Sequence, residues 1–303
     1  MSPRITSQKR GEWLELMPGK LIPPENGDRF AAAIIWLRNV LGVPPKLLLT
    51  LENEGGIKLA GDRLRLHLFP PKQSQYEPHA HELTVLYEDD FCLVVHKPVG
   101  VKVHPDGADR RPTLANMVAA LYSERNEAVA PAHIHRLDEF TSGPVLYAKN
   151  EYAHLKLDEA MSRKEIGRRY VAFVQGIVDP TLTIIDQPIG KDRHHNQRRR
   201  VSPTGKPAVT RVEVAEQYSS ASLVRLKLET GRTHQIRVHM SYAGHPLLGD
   251  DIYGGSTALI SHQALHGESL SFRHPLTGEM IHVTDPWPTA MNILRGQLLA
   301  SKT

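Results

Sequence analysis

From residue 83 onward the chain reads as one short strand after another, with few helices between them. Residues 83–88 and 91–96 form a hairpin pattern across Asp89-Asp90. Further strand-like runs follow at 144–148, 168–174, 181–185, 208–217 and 222–229. Three helical patterns interrupt them. Thr113 can cap the first, which runs to Tyr122 with Leu114, Met117, Val118 and Leu121 on its apolar face. The second covers 152–163. The third is capped by Thr233, runs to Ala243 with Ile236, Met240 and Ala243 on one face, and stops at Gly244. Successive strands without alternating helices exclude a doubly wound parallel sheet. They predict an α+β fold with a mixed, largely antiparallel sheet.

The first 80 residues have a different texture. Residues 29–41 read as an amphipathic helix through Phe30, Ile34, Ile35, Leu37 and Leu41, which Pro44 and Pro45 should end. Two strand-like pieces, 57–59 and 64–68, flank Gly61-Asp62. A Pro- and Gln-bearing stretch, 70–78, looks like a linker. With 303 residues there is room for a large domain and a small one, divided as 1–80 and 81–303.

The single Cys92 excludes a disulfide framework and fits a reducing compartment. No apolar run reaches the roughly 20 residues of a membrane span, and the N-terminus lacks an apolar signal core. A soluble cytoplasmic protein is expected. Net charge is +4, but it is concentrated. Lys191, Arg193, Arg198, Arg199, Arg200, Lys206 and Arg211 stand against Asp192 alone. Such clustering is the footprint of a polyanion, though a solvated loop has the same composition.

Two stretches carry chemistry. The first is His135-Arg136-Leu137-Asp138-Glu139-Phe140-Thr141-Ser142-Gly143, a polar run opening the strand at 144. Alone it reads equally as a turn. The second runs Gly231-Arg232-Thr233-His234-Gln235-Ile236-Arg237-Val238-His239, followed by Gly244-His245-Pro246-Leu247-Leu248-Gly249-Asp250. Together they resemble the signatures of the RluA family of RNA pseudouridine synthases. Lys97-Pro98-Val99-Gly100 with His104-Pro105 resembles that family's first motif. Arg168-Arg169-Tyr170 resembles its Lys-x-Tyr motif, with arginine in the lysine's place. The first 80 residues resemble a degenerate S4-type RNA-binding domain, or are a family-specific extension.

The resemblance implies a catalytic domain with a central cleft, and an isomerase acting on uridines of structured ribosomal or transfer RNA. The reaction breaks the N1–C1′ bond, turns the base and rejoins it through C5. It needs a carboxylate at C1′, a cation to hold that carboxylate ionised, and a way to take the base out of its stack. The resemblance assigns Asp138 as nucleophile, Arg237 as its ion-pair partner and Tyr170 as the ring against the uracil. Arg136 would fill the gap left by the flipped base. Arg168, Arg198, Arg199, Arg200 and Lys206 would contact RNA, and His135, Thr141, Arg232, His234 and Gln235 would support the motifs. No cofactor and no metal are implied, and a monomer is expected.

The sequence is also compatible with two rival functions. One is a non-catalytic RNA-binding protein that keeps the fold. The other is a metal-dependent nucleic-acid hydrolase using His133, His135, His194, His195, His234 and His239. No Cys or carboxylate recurs near these histidines at zinc-ligand spacing.

Overall fold

The structure, a computed structural model, describes residues 6–18, 28–107, 111–195 and 197–301. Met1–Ile5, part of the stretch without a signal core, lie outside them. The expected α+β architecture is present. Every pairing between named strands is antiparallel.

The first four strands, β1 (Thr6–Arg10), β2 (Trp13–Met17), β3 (Ile57–Ala60) and β4 (Arg63–His67), make a small sheet in the order β1-β2-β4-β3. Two helices, α1 (Arg29–Asn39) and α2 (Pro45–Asn53), lie between β2 and β3. Asp28 caps α1 by accepting the amides of Phe30 and Ala31. The two prolines do not simply end a helix, as the sequence suggested. Pro45 begins α2, at the first position, where a missing N–H has no intrahelical acceptor to lose. The core of this module, including Leu16, Leu37, Leu48 and Leu66, is continuous with Phe91, Cys92, Tyr152 and Phe272. The Tyr152 hydroxyl lies 3.0 Å from the carbonyl oxygens of both Leu41 and Pro275, so its one hydrogen is shared between the two sides of that seam. The stretch 70–78 is irregular but not a loose tether. Lys72 donates its amide to Ala128 O, and Asn116 donates to Glu77 O.

The second sheet contains β5 (Val85–Glu88), β6 (Cys92–Lys97), β7 (Ala132–His133) and β8 (Gly143–Ala148), in the order β5-β6-β8-β7. It carries α3 (Leu114–Glu124) and precedes α4 (Glu151–Ser162). The third and largest sheet combines β9 (Gly167–Gln175), β10 (Ile184–Asp186), β13 (Val209–Gln217), β14 (Ala221–Leu228), β15 (Leu265–Arg273) and β16 (Met280–Thr284). Its order is β10-β13-β14-β9-β15-β16. The basic segment folds as a separate hairpin of β11 (Ile189–Lys191) and β12 (Arg199–Val201). Helices α5 (Gln235–Tyr242) and α6 (Thr289–Ala300) complete the chain. The strand expected from 181 starts only at Ile184, because Asp179 folds a turn that takes the amides of Thr181 and Leu182.

The second and third sheets meet where β8 begins. Ser142 and His266 form a parallel bridge, and Gly267 donates its amide to Ser142 O at 2.8 Å. Gly143 (φ +139) packs so closely that a Cβ there would stand 2.7 Å from the Gly267 Cα. Only two glycines permit this approach. The joint sets the first motif, on the loop before β8, across from the second motif at the start of α5.

Candidate active site

Between the two sheets lies a cleft of about 1280 Å³. His135, Arg136, Asp138, Thr141, Arg168, Tyr170, Arg199, Arg232, His234, Gln235 and Arg237 all line it. Residues scattered over a hundred positions thus converge on one wall-to-wall site. Arg198, Arg200 and Lys206 do not line it. Arg200 and Lys206 are exposed on the basic hairpin, and Arg198 lies with its guanidinium 5.5 Å from the Tyr253 ring.

The Asp138 loop is rigid. Thr141 donates its amide to Asp138 O, and Gly100 donates its amide to Glu139 O at 2.9 Å. Lys97, wholly buried at the end of β6, donates from Nζ to the carbonyls of Pro98, Val101 and Glu139 at 2.7–2.9 Å. Burial pushes the Lys97 ammonium down to about 7, while the charges of Asp138 and Glu139 oppose that shift. Lys97 therefore staples the first motif's loop to the loop that carries Asp138.

Arg237 is buried on the first turns of α5. It faces Asp250 with two nitrogens, Nε to Oδ2 at 2.6 Å and Nη2 to Oδ1 at 2.8 Å. Its Nη1 reaches Asp138 Oδ2 at 3.5 Å. Burial works against the guanidinium's charge, but the bonds to Asp250 and the field of Asp138 win and raise its pKa. The sequence reading paired Arg237 with Asp138 and gave Asp250 no role. The signal was present, since Asp250 closes the second stretch.

Helix α5 does not start at a Thr233 cap. His234 occupies the cap position with a left-handed backbone (φ 57), and no side chain caps the helix. The turn is closed instead by Gln235, whose Oε1 accepts from Thr230 Oγ1 and the Arg232 amide. Gln235 Nε2 donates to Val209 O and Thr210 Oγ1. Arg232 donates from Nε to Pro207 O. The second motif is in this way bonded to β13, and its polar residues are mostly used in holding the turn.

Tyr170 projects from β9 into the cleft wall and is only 5% exposed. Burial keeps its phenol protonated, with Arg168 opposing and Asp138 reinforcing. Arg168 packs its Nη1 3.0 Å from where a Gly231 Cβ would stand. Arg136 is exposed and bonds from Nη1 to His104 Nε2 at 3.3 Å. His104 in turn stacks on His133, with ring centroids 4.9 Å apart. The sequence placed His104 in the first motif and His133 in the metal hypothesis, but did not show that the two rings stack beside Arg136. Two histidines of the metal hypothesis are bonded within the protein: His239 bonds Thr210 and Gln187 O, and His135 Nε2 accepts the Leu146 amide.

Residues 91–242 match the family model described as RNA pseudouridylate synthase. The chain is 42% identical over 236 residues to a Bacillus subtilis protein named uncharacterized RNA pseudouridine synthase YhcT, covering 77% of this chain and 78% of that one. It is 36% identical over 302 residues to ribosomal large subunit pseudouridine synthase D of Haemophilus influenzae, covering 95% of this chain and 91% of that one. Among solved structures, human RNA pseudouridylate synthase domain containing 1 matches with a TM-score of 0.60 at 26% identity, over 72% of this chain and 90% of that one. A cleft in which both signature motifs meet, and relatives matched over most of their length, place the chain in the RNA pseudouridine synthase family, with the motifs of its RluA branch.

Proposed function

We propose that this RNA pseudouridine synthase uses Asp138 as the group that engages C1′ when the N1–C1′ bond breaks. Arg237 holds the carboxylate as its ion-pair partner, and Tyr170 packs its ring against the uracil. The observation that carries this is the contact of Asp138 with Arg237 inside the one cleft that both motifs line. Arg136, exposed at that cleft, takes the place of the flipped base; a planar guanidinium can stack where the uracil left. Departure of N1, rotation of the base and bonding through C5 leave the atoms of the nucleotide unchanged except for exchange of the C5 proton with solvent. The experiment is Asp138→Asn: isomerisation should vanish while RNA binding survives. Substantial turnover by the Asn variant removes Asp138 from the role.

The substrate class we assign is ribosomal RNA, ahead of transfer RNA, because relatives matched nearly end to end carry the name of large-subunit ribosomal enzymes. The basic hairpin tracks phosphates, and the target uridine is drawn from a loop or bulge rather than a paired stem. Residues 1–80 act as an S4-like RNA-binding module and 81–303 as the catalytic domain. Support for the first comes from two helices followed by the β3–β4 hairpin across Gly61-Asp62. We read the enzyme as a cofactor-free monomer of the cytoplasm. Among the described residues no helix is long and apolar enough to cross a membrane, and the one cysteine is buried and unpaired. Mapping pseudouridine in total RNA from cells with and without the gene would name the site; unchanged ribosomal RNA would overturn the substrate assignment.

A further inference from the structure

Tyr253 lies at the meeting point of the basic hairpin and Arg237. It ends a short 3-10 turn, Asp251–Tyr253, directly after the Asp250 that grips Arg237, and is 4% exposed. Its ring centroid lies 4.9 Å from the Arg237 guanidinium and 5.5 Å from that of Arg198. Its hydroxyl accepts the backbone amide of Arg199, at the start of β12, at 2.9 Å. The same hydroxyl bonds His234 Nδ1 at 2.9 Å.

Counting donors fixes a tautomer. The Arg199 amide can only donate, so it uses a lone pair of the Tyr253 oxygen. The phenol has one hydrogen, and His234 Nδ1 is the acceptor within reach among the described residues. A buried hydroxyl hydrogen without an acceptor is unfavourable. The hydrogen therefore goes to Nδ1, and the imidazole proton sits on Nε2. The His234 ring lines the cleft, and its Nε2 has no hydrogen-bond partner among the described residues. Burial pushes His234 below the ordinary histidine value; Arg237 and Arg199 reinforce this, while Asp138 and Asp250 oppose it. The ring is thus neutral, with one donor turned to the substrate side. The left-handed backbone of His234 is a conformation that persists only where surrounding contacts over-determine it.

We propose that Tyr253 is a positioning residue that ties the basic hairpin to the active centre and sets His234 Nε2–H as a hydrogen-bond donor to an acceptor oxygen of the target nucleotide. Strand β12 and α5 are then held in one register, so the cations that take hold of phosphates and the groups around Asp138 are placed together. This rests on the reading that the cleft binds the target uridine, but its first test does not require RNA.

That test is nitrogen NMR of the full chain labelled with [15N]histidine, with the His234 signals assigned by their loss in His234→Gln. The expected pattern is a protonated Nε2 and an unprotonated Nδ1. A protonated Nδ1 overturns the proposal, whatever Asp138→Asn shows about catalysis. The second test is Tyr253→Phe, which keeps the ring beside both arginines and removes the hydroxyl. We expect kcat to fall roughly tenfold, with KM for an RNA transcript within about threefold of wild type. Because Tyr253 acts on kcat through His234, adding Tyr253→Phe to His234→Gln should cause no further loss of kcat, while the lost bond to the Arg199 amide is read in KM alone. Multiplied losses in the double variant, or wild-type kcat in Tyr253→Phe, would reject the role. If Tyr253→Phe does not fold, the wild-type tautomer decides alone.

Discussion

The Asp138 carboxylate touches the Arg237 guanidinium at one point, Oδ2 to Nη1 at 3.5 Å, across 99 residues of sequence. The other two donors that Arg237 uses go to Asp250. A bidentate pair fixes the plane of a guanidinium, so Asp250 decides where Nη1 points and Asp138 receives what that plane offers. Asp250→Asn removes the charge and one acceptor while keeping the shape. It leaves a buried cation with a weakened partner, which should destabilise the fold by about 3 kcal/mol. It should also lower kcat by about 100-fold through misplacement of Arg237, with RNA affinity nearly unchanged. Urea unfolding and single-turnover kinetics check the two parts separately. A variant with normal kcat would show that Asp138 does not depend on how Arg237 is held.

The joint between the sheets makes a second prediction. Gly143→Ala would add a Cβ 2.7 Å from both the Cα and the amide nitrogen of Gly267, at a φ that L side chains rarely adopt. The three nearest atoms all belong to the Gly267 backbone, so no side chain can turn aside. We expect a loss of about 3 kcal/mol or failure to fold. Gly100→Ala is the control: its φ is also positive, but nothing lies within 4 Å of the added methyl. It should lose only about 1 kcal/mol. Equal unfolding midpoints for the two variants would mean that the sheets can part at this joint without penalty.

Strand succession and the two motifs were legible because both are local. A continuous apolar run fixes β9 and alternation helps fix β13 and β14 with little help from the rest of the chain, and the motif residues could be named in order. What depended on distant partners was hidden. Asp250 gained its role only when the chain brought it to Arg237. Lys97 could be placed in the first motif, but its task appears only when three carbonyls from two loops surround it. Thr233 has the composition of a helix cap, but Gln235 closes that turn from inside the helix, leaving His234 in the cap position. The hairpin β1–β2 and helix α6 were missed because the first is short and fully polar along β1, and the second carries a sparse apolar face of Met291, Leu294 and Leu298.

The arginines of the basic hairpin stand in three different settings. Arg200 is exposed, Arg199 lines the cleft, and Arg198 is partly buried beside the Tyr253 ring. Arg200→Gln should reduce the slope of log affinity against log salt by about 0.7, as expected for one phosphate contact to a single strand. Arg198→Gln should leave that slope nearly unchanged and lower kcat, since its cation serves the aromatic ring rather than the phosphates. Filter binding across a salt series separates them. Identical slopes for Arg200→Gln and wild type would place the phosphates away from the hairpin.

Acid should weaken the fold through His135. The ring is fully buried, and Leu146 donates its amide to Nε2 at 3.3 Å, a bond that only the unprotonated nitrogen can accept. Burial pushes its pKa down to about 3, from an ordinary 6.5. Above pH 6.5 neither the folded nor the unfolded chain holds this proton, and the residue contributes nothing to pH dependence. Below 6.5 the unfolded chain takes the proton and the folded chain does not, so stability falls as pH falls, down to about pH 3. At about 1.4 kcal/mol per pH unit the loss reaches roughly 2 kcal/mol at pH 5. His133, pushed down to about 4 by burial, adds a loss of the same sign. In His135→Gln the His133 share remains and the His135 share goes. The drop in unfolding free energy between pH 7 and pH 5 should therefore be smaller in the variant by about 2 kcal/mol. Urea titrations at the two pH values measure it, and parallel losses in both proteins would mean that folded His135 accepts the proton and the Leu146 bond is dispensable.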